Sequence, residues 1–256
     1  MRSCLVASGV FLLTLGVGRW VAGCELAFPT RIDDADAAGV DALGDVTDAS
    51  DAASCNPVDP TTAVPVDAAC TTPDATSCKP APVPGFTPRW VPPRAPRARC
   101  TTADIASFYD ACYGPASTAG SCNAFGASNI PCYACLTSTS TDGEYGALVV
   151  DAPTFYLNTA GCIALVDPCN LPCAKVLLGE TQCAAASCAA CTSTDEPVVE
   201  ACRNDAIACR CSALHAQATN CAETLLANGG PSSDCLTALT FELALKHIAA
   251  IFCGGG

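Results

Sequence analysis

Histidine, methionine and tryptophan are nearly missing from this chain: its 256 residues hold two His, one Met and two Trp. Only His215 and His247 can therefore exchange a proton near neutral pH as ordinary side chains. Neither stands in a catalytic frame. There is no Gly-x-Ser-x-Gly around a nucleophile, no His-Glu-x-x-His, no glycine-rich phosphate loop and no calcium-loop pattern. His247 follows Lys246 and reads as a rim residue, while His215 lies in a polar stretch with Gln217 and Asn220. Carboxylates occur (Asp195, Glu196, Glu200, Glu242), but no pair has a spacing that singles it out for acid–base work. Positive charge is scarce as well, with 12 Lys and Arg against 25 Asp and Glu, a net charge of −13. From Cys100 onward fourteen acidic residues face four basic ones, which would repel a phosphate backbone and excludes nucleic acid as a partner. Beyond the N-terminal segment no apolar run is long enough to span a bilayer.

That N-terminal segment is distinctive. Met1-Arg2 supplies a positive start, Cys4 to Gly18 an apolar run of secretory length, and Val21-Ala22-Gly23 precedes Cys24. Val-Ala-Gly-Cys has the pattern of a bacterial lipoprotein signal, in which the cysteine is acylated and becomes the new N-terminus. Cys24 is thus the expected lipidation site. Its acyl chains, at about 0.8 kcal/mol per buried CH₂, would hold the protein to a membrane. An ordinary secretory cleavage after Gly23 is the alternative, and an uncleaved anchor is disfavoured by Arg19 within the leader.

Cysteine is what the chain has in excess: 22 residues. An exported chain meets an oxidising environment, so these read first as disulfides. Setting aside Cys4 and Cys24 leaves an even 20. Residues 1–23 form the expected signal peptide, 24–99 a tether and 100–256 a folded domain. The tether begins acidic and almost without aromatics (Asp33, Asp34, Asp36, Asp41, Asp45, Asp48 and Asp51 against Arg31), a composition that stays disordered. From Lys79 to Arg99 it turns proline-rich and basic, which predicts a stiff extended spacer. Trp90 beside Arg89 and Arg94 offers a second use, a contact with anionic polymer or with the acidic face of its own domain.

Seventeen cysteines fall in the domain: Cys100, Cys112, Cys122, Cys132, Cys135, Cys162, Cys169, Cys173, Cys183, Cys188, Cys191, Cys202, Cys209, Cys211, Cys221, Cys235 and Cys253. The odd number calls for a partner from the tether. Cys78 is nearest, with Cys55 and Cys70 left to close a tether loop. Cys132-x-x-Cys135 and Cys188-x-x-Cys191 have the spacing of a zinc ribbon or a thiol–disulfide exchange centre. In an oxidising compartment crowded with other cysteines, structural bridges are the expected use. Cys209-Arg210-Cys211 cannot easily close on itself, and Cys169 and Cys173 lie a helical turn apart, so each is expected to seek a different partner.

The apolar periods predict a mostly α, disulfide-rich helical domain with one short β-hairpin. Thr102 ahead of Asp104 reads as a helix cap, with Ile105, Phe108, Tyr109 and Cys112 on one face. Short helices carry Cys122 and, from Pro131, the Cys132/Cys135 pair. Ala147–Val150 and Thr154–Leu157 read as the hairpin, Asn158-Thr159 as the cap of a helix reaching Val166. Further helices are expected over Pro172–Cys188, Pro197–Cys209 and Ser212–Ala227. A last, largely apolar one would be capped by Ser233 or Asp234. The spacing Cys112-x9-Cys122-x9-Cys132-x2-Cys135 is echoed by Cys173-x9-Cys183-x4-Cys188-x2-Cys191, which suggests a duplicated hairpin stapled the same way twice.

The lipobox, the Asp/Ala tether and a domain opening Cys100-Thr-Thr-Ala-Asp-Ile-Ala-Ser-Phe resemble the cysteine-rich surface lipoproteins of the myxobacterial type. The Cys132-x2-Cys135 pair, the Gly146-Ala-Leu-Val-Val run and the closing Ile251-Phe-Cys-Gly are similar too. The resemblance implies a place at the cell surface and assigns no catalytic residue. The expectation is a cell-envelope lipoprotein, bound to the membrane through Cys24, whose domain has a structural or binding role toward a protein or polymer. The sequence assigns it no cofactor and no metal. A thiol- or metal-binding protein and a secreted enzyme with an unfamiliar site are the alternatives.

Overall fold

A computed structural model describes residues 78–151, 154–191, 193, 196–237 and 240–254. The leader, Cys24, the acidic tether and the Cys55/Cys70 loop lie outside the described residues.

Helix α1 (Thr102–Cys112) begins with a reciprocal cap. Thr101 accepts from the Asp104 amide at 3.1 Å, and the Asp104 carboxylate accepts from the Thr101 amide at 2.7 Å. The cap is thus Thr101 rather than Thr102, because an acid can reach back only from three residues on. Helix α2 (Ala119–Ser128) repeats the device with Thr118 and Ser121, and α3 (Ile130–Leu136) starts over Pro131. Strand β1 (Thr137–Ser138) pairs parallel with β2 (Leu148–Asp151), which pairs antiparallel with β3 (Thr154–Leu157). The expected hairpin is present, with Leu148 opposite Leu157 and Asp151 opposite Thr154. Two-residue β1 is an addition, too short to carry a period. Gly146 lets the incoming chain cross the end of α3, since a Cβ there would lie 2.7 Å from the Cys135 carbonyl oxygen.

After β3 come α4 (Thr159–Val166), a 3₁₀ turn (Pro168–Asn170), α5 (Leu171–Ser187), α6 (Glu196–Ala208) and α7 (Ser212–Asn228). Gly229 and Gly230, both at positive φ, end α7. The expected last helix is α9 (Phe241–Cys253), capped by Thr240 through the Leu243 amide at 3.2 Å, while Ser233 and Asp234, the expected caps, belong to a separate single turn α8 (Pro231–Asp234). Nor is α9 buried all round. Leu245, Ile248 and Phe252 are fully buried, whereas Leu243 is 54 % exposed.

The main core gathers Phe108, Leu136, Leu148, Ile163, Leu245, Ile248 and Phe252. A smaller core joins the C-terminal half of α5 to α6 and the start of α7. Its buried members are Cys78, Cys183, Cys188, Cys202 and Cys211 with Ala184 and Ala206.

All eighteen cysteines from Cys78 to Cys253 are disulfide-bonded, the state of a chain that folds in an oxidising compartment. Cys78 reaches Cys191, so a cysteine outside residues 100–256 does bridge into the domain. Cys132 pairs with Cys100 and Cys135 with Cys253, while Cys188 pairs with Cys202. Each Cys-x-x-Cys pair is therefore divided between two distant partners, and none of these sulfurs is left as a thiolate for zinc or for exchange. Cys112–Cys122, Cys162–Cys235, Cys173–Cys221 and Cys183–Cys211 are further bridges, and Cys169 and Cys209 are also bonded. The expected duplication fails on this connectivity. Cys112 and Cys122 bridge each other, whereas their counterparts Cys173 and Cys183 bridge to α7.

Residues 79–99 differ most from expectation. They form a strap on the domain instead of a free spacer. Val91 is 2 % exposed, and the strap's amides find carbonyls between the prolines: Arg94 on Tyr145 at 2.8 Å, Arg97 on Phe252 at 2.9 Å, Arg99 on Cys253 at 2.9 Å. Gln182 brackets Arg89 by accepting from its amide at 2.8 Å and donating to its carbonyl at 2.7 Å. The Arg94 guanidinium donates to the Ala134 and Thr137 carbonyls and pairs with Asp142 at 3.1 Å. The physical reason is charge together with anchoring. A strap of five basic and no acidic residues lies on a domain of net charge −10, with Cys78 fixed at one end and Cys100 at the other. Of the two uses weighed for the arginines, the contact with the domain's own acid is the one Arg94 makes.

Candidate binding cavity

Helices α5 and α7 are clamped at two points by Cys173–Cys221 and Cys183–Cys211. The cysteines are ten residues apart on each helix and pair in opposite order, so the helices run antiparallel in one register. Glu180 precedes Cys183 by one turn and His215 follows Cys211 by one turn, which brings the two side chains together between the clamps. Nδ1 of His215 donates to Oε1 of Glu180 at 2.5 Å. Only 11 % of the Glu180 side chain is exposed, against 34 % for His215.

Hydrogen bonding to Glu180 raises the His215 pKa above its usual value. Burial opposes this, and the carboxylate's charge adds to the rise. The sign of the pH effect follows. A group whose folded pKa is raised stabilises the fold fully below its unfolded pKa and loses that contribution as pH rises through the folded one. The stability difference between the native chain and His215→Gln should therefore be larger near pH ~5.5 than near pH ~9 in urea titrations. Equal differences at both pH values would mean that the pair carries no net charge coupling.

Beside the pair lies a cavity of about 220 Å³ between β3, the start of α4, α5 and α7. Tyr156 to Ala160, Leu177, Leu178, Glu180 and Thr181 form one side, and Thr219, Ala222, Glu223 and Leu226 the other, with Cys235 and Leu236 closing it. Asn158 fixes the corner. Its Oδ1 accepts from the Gly161 amide at 2.8 Å and its Nδ2 donates to the Gly146 carbonyl at 2.9 Å. The hydroxyl of Thr219 is buried in the wall with no hydrogen-bond partner among the described residues.

His215 and His247 are not brought together. His247 is on α9, half-buried, and its Nε2 is buried without a hydrogen-bond partner among the described residues. The Glu180–His215 geometry is that of an oriented base, but no hydroxyl or thiol among the described residues is hydrogen-bonded to His215 Nε2 as a nucleophile would be. Of the carboxylates noted in the sequence, Glu242 pairs with Lys246 one turn along α9, and Glu200 acts on Arg203 within α6. Burial lowers the Arg203 pKa and raises that of Tyr156, which faces it near Asp151. No local motif marks Glu180 in the sequence; its one trace is the pair of matching ten-residue cysteine intervals, 173–183 and 211–221, that flank it and His215.

A half-buried aromatic group brings together Tyr113, Phe155 of β3 and Phe241, its ring centroids 4.8–5.4 Å apart. The rings are tilted or edge-on to one another, so they pack mutually and present no flat platform. No helix among the described residues is long and apolar enough to cross a membrane. No protein family, curated protein or solved structure matches this chain.

Proposed function

We propose that this protein is a cell-envelope lipoprotein, held to the membrane through Cys24, whose disulfide-stapled domain serves as a binding module. The observation that carries the binding role is the cavity with Glu180 in its wall, built on helices whose relative position two bridges fix. A site clamped in this way keeps its shape without ligand, which lowers the ordering cost of binding. The bridged state of every cysteine from Cys78 to Cys253 favours a scaffold over thiol or metal chemistry, because each sulfur is already in an S–S bond. The Val21-Ala22-Gly23-Cys24 pattern and the resemblance to myxobacterial-type surface lipoproteins support the anchor and the location. The partner at the surface is a protein or a polymer, or a small molecule taken into the cavity.

Cys24→Ala tests the anchor. The native chain should enter the detergent phase on Triton X-114 partitioning and incorporate labelled fatty acid. The variant should remain aqueous and unlabelled. Unchanged partitioning of the variant would refute lipidation at this residue.

A further inference from the structure

We infer that the cavity between α5 and α7 binds a small organic ammonium ion with an apolar body, its nitrogen held by Glu180. This deepens the binding role proposed above and rests on it. Leu177, Leu178, Ala222 and Leu236 make the walls apolar, while Glu180 and Glu223 are the charged groups that line it. No lysine, arginine or histidine contributes to the lining.

Glu180 is 9 % exposed, so its charge is largely desolvated. Among the described residues it accepts one hydrogen bond, at Oε1 from His215. A carboxylate offers about four lone-pair sites, so most of its acceptor capacity is unused. Burying such a group costs free energy unless another donor reaches it. The unpartnered Thr219 hydroxyl is a second unsatisfied polar group in the same wall.

The chemistry of the occupant follows from what the site can satisfy. An anion would meet two carboxylates and no basic side chain in the lining. A neutral hydrocarbon would fill the apolar space and leave Glu180 short of donors. A hard metal ion takes roughly six to eight oxygen ligands, several of them charged, and among the described residues no group of three or more His, Cys, Asp or Glu is gathered to hold one. An alkyl or aralkyl ammonium offers three N–H donors to Glu180 and a hydrocarbon body to the walls. The domain's net charge of −10 also draws cations toward it. The cavity's 220 Å³ exceeds the ~150 Å³ of an engineered cavity that accepts benzene, which fits one ring or a short branched chain.

The test is isothermal titration calorimetry on the full chain with intact disulfides, using benzylammonium, benzyl alcohol and benzoate as matched probes. Benzylammonium should bind at least about tenfold more tightly than benzyl alcohol, with no detectable binding of benzoate. Glu180→Gln should erase the preference for the ammonium. Leu226→Trp, at a rim residue that is 42 % exposed, should weaken both binding probes by obstruction and does not depend on Glu180→Gln folding. Equal affinities for benzylammonium and benzyl alcohol in the native chain would overturn the proposal. So would ammonium binding that survives Leu226→Trp unchanged. Absence of ammonium binding in a chain whose detergent partitioning still depends on Cys24 would sink this inference and leave the anchor standing.

Discussion

Replacing Cys183, Cys188, Cys202 and Cys211 together by alanine should unfold α6 and the adjoining end of α5 while the main core stays folded. Apart from Ala184 and Ala206, every buried member of the smaller core is a bridged cysteine. Its larger apolar side chains (Val83, Phe86, Val198, Ile207 and Leu214) are only partly buried. The two bridges close loops with separations of 28 and 14 residues. Loops of that length correspond to about 3 kcal/mol each in the chain-entropy account, with sums that are not additive. The cluster's other bridge, Cys78–Cys191, ends ahead of α6 rather than on it. The main core, by contrast, holds Phe108, Leu245 and Phe252 at 0–1 % exposure. Native-state hydrogen exchange reads the difference directly. Amides of α6 should lose protection by more than about a hundredfold, and those of α1 and α9 should keep theirs. Simultaneous loss in all helices would show one cooperative unit and refute the division into two cores.

The same two cores explain what could be read from the sequence and what could not. Helix α1, the hairpin of β2 and β3, the Asn158 cap and the spans of α5, α6 and α7 follow from local signals: caps, periods and breakers within a few residues of each element. The cap of α1 lies one residue ahead of the expected one because Thr101 and Thr102 are adjacent, and only the Asp104 register distinguishes them. The last helix starts only at Phe241, although Leu236 fits its apolar pattern, because Thr240 supplies the cap. Bridge partners are a different matter. Cys135 and Cys253 are 118 residues apart, and no local rule selects that pair over others. The strap resembles a free spacer in sequence because proline-rich composition reports local stiffness and says nothing of docking. Its docking depends on carbonyls of Tyr145, Phe252 and Cys253 that come together only in the folded domain. The candidate site had one legible trace, the equal cysteine intervals on α5 and α7. That trace becomes informative only once Cys173 is known to pair with Cys221 and Cys183 with Cys211.

Asn158→Ala should cost about 2–4 kcal/mol in chemical denaturation, out of proportion to the few atoms removed. The residue is 2 % exposed and does two things at once. Its Oδ1 caps α4 through the Gly161 amide, and its Nδ2 occupies the Gly146 carbonyl ahead of β2. Alanine loses the cap, worth about 1 kcal/mol, and leaves a buried carbonyl without its donor, at about 1–3 kcal/mol. Asn158→Ser separates the two contributions. A serine hydroxyl keeps an acceptor for Gly161 at the cap position without burying a charge, but is too short to reach the Gly146 carbonyl. Its stability should fall between those of the native chain and the alanine variant. Because Asn158 also lines the cavity wall at the start of α4, the alanine change should loosen that wall and weaken ligand binding along with stability. An Asn158→Ser variant as unstable as the alanine one would place the whole cost in the Gly146 contact. One as stable as the native chain would place it in the cap alone.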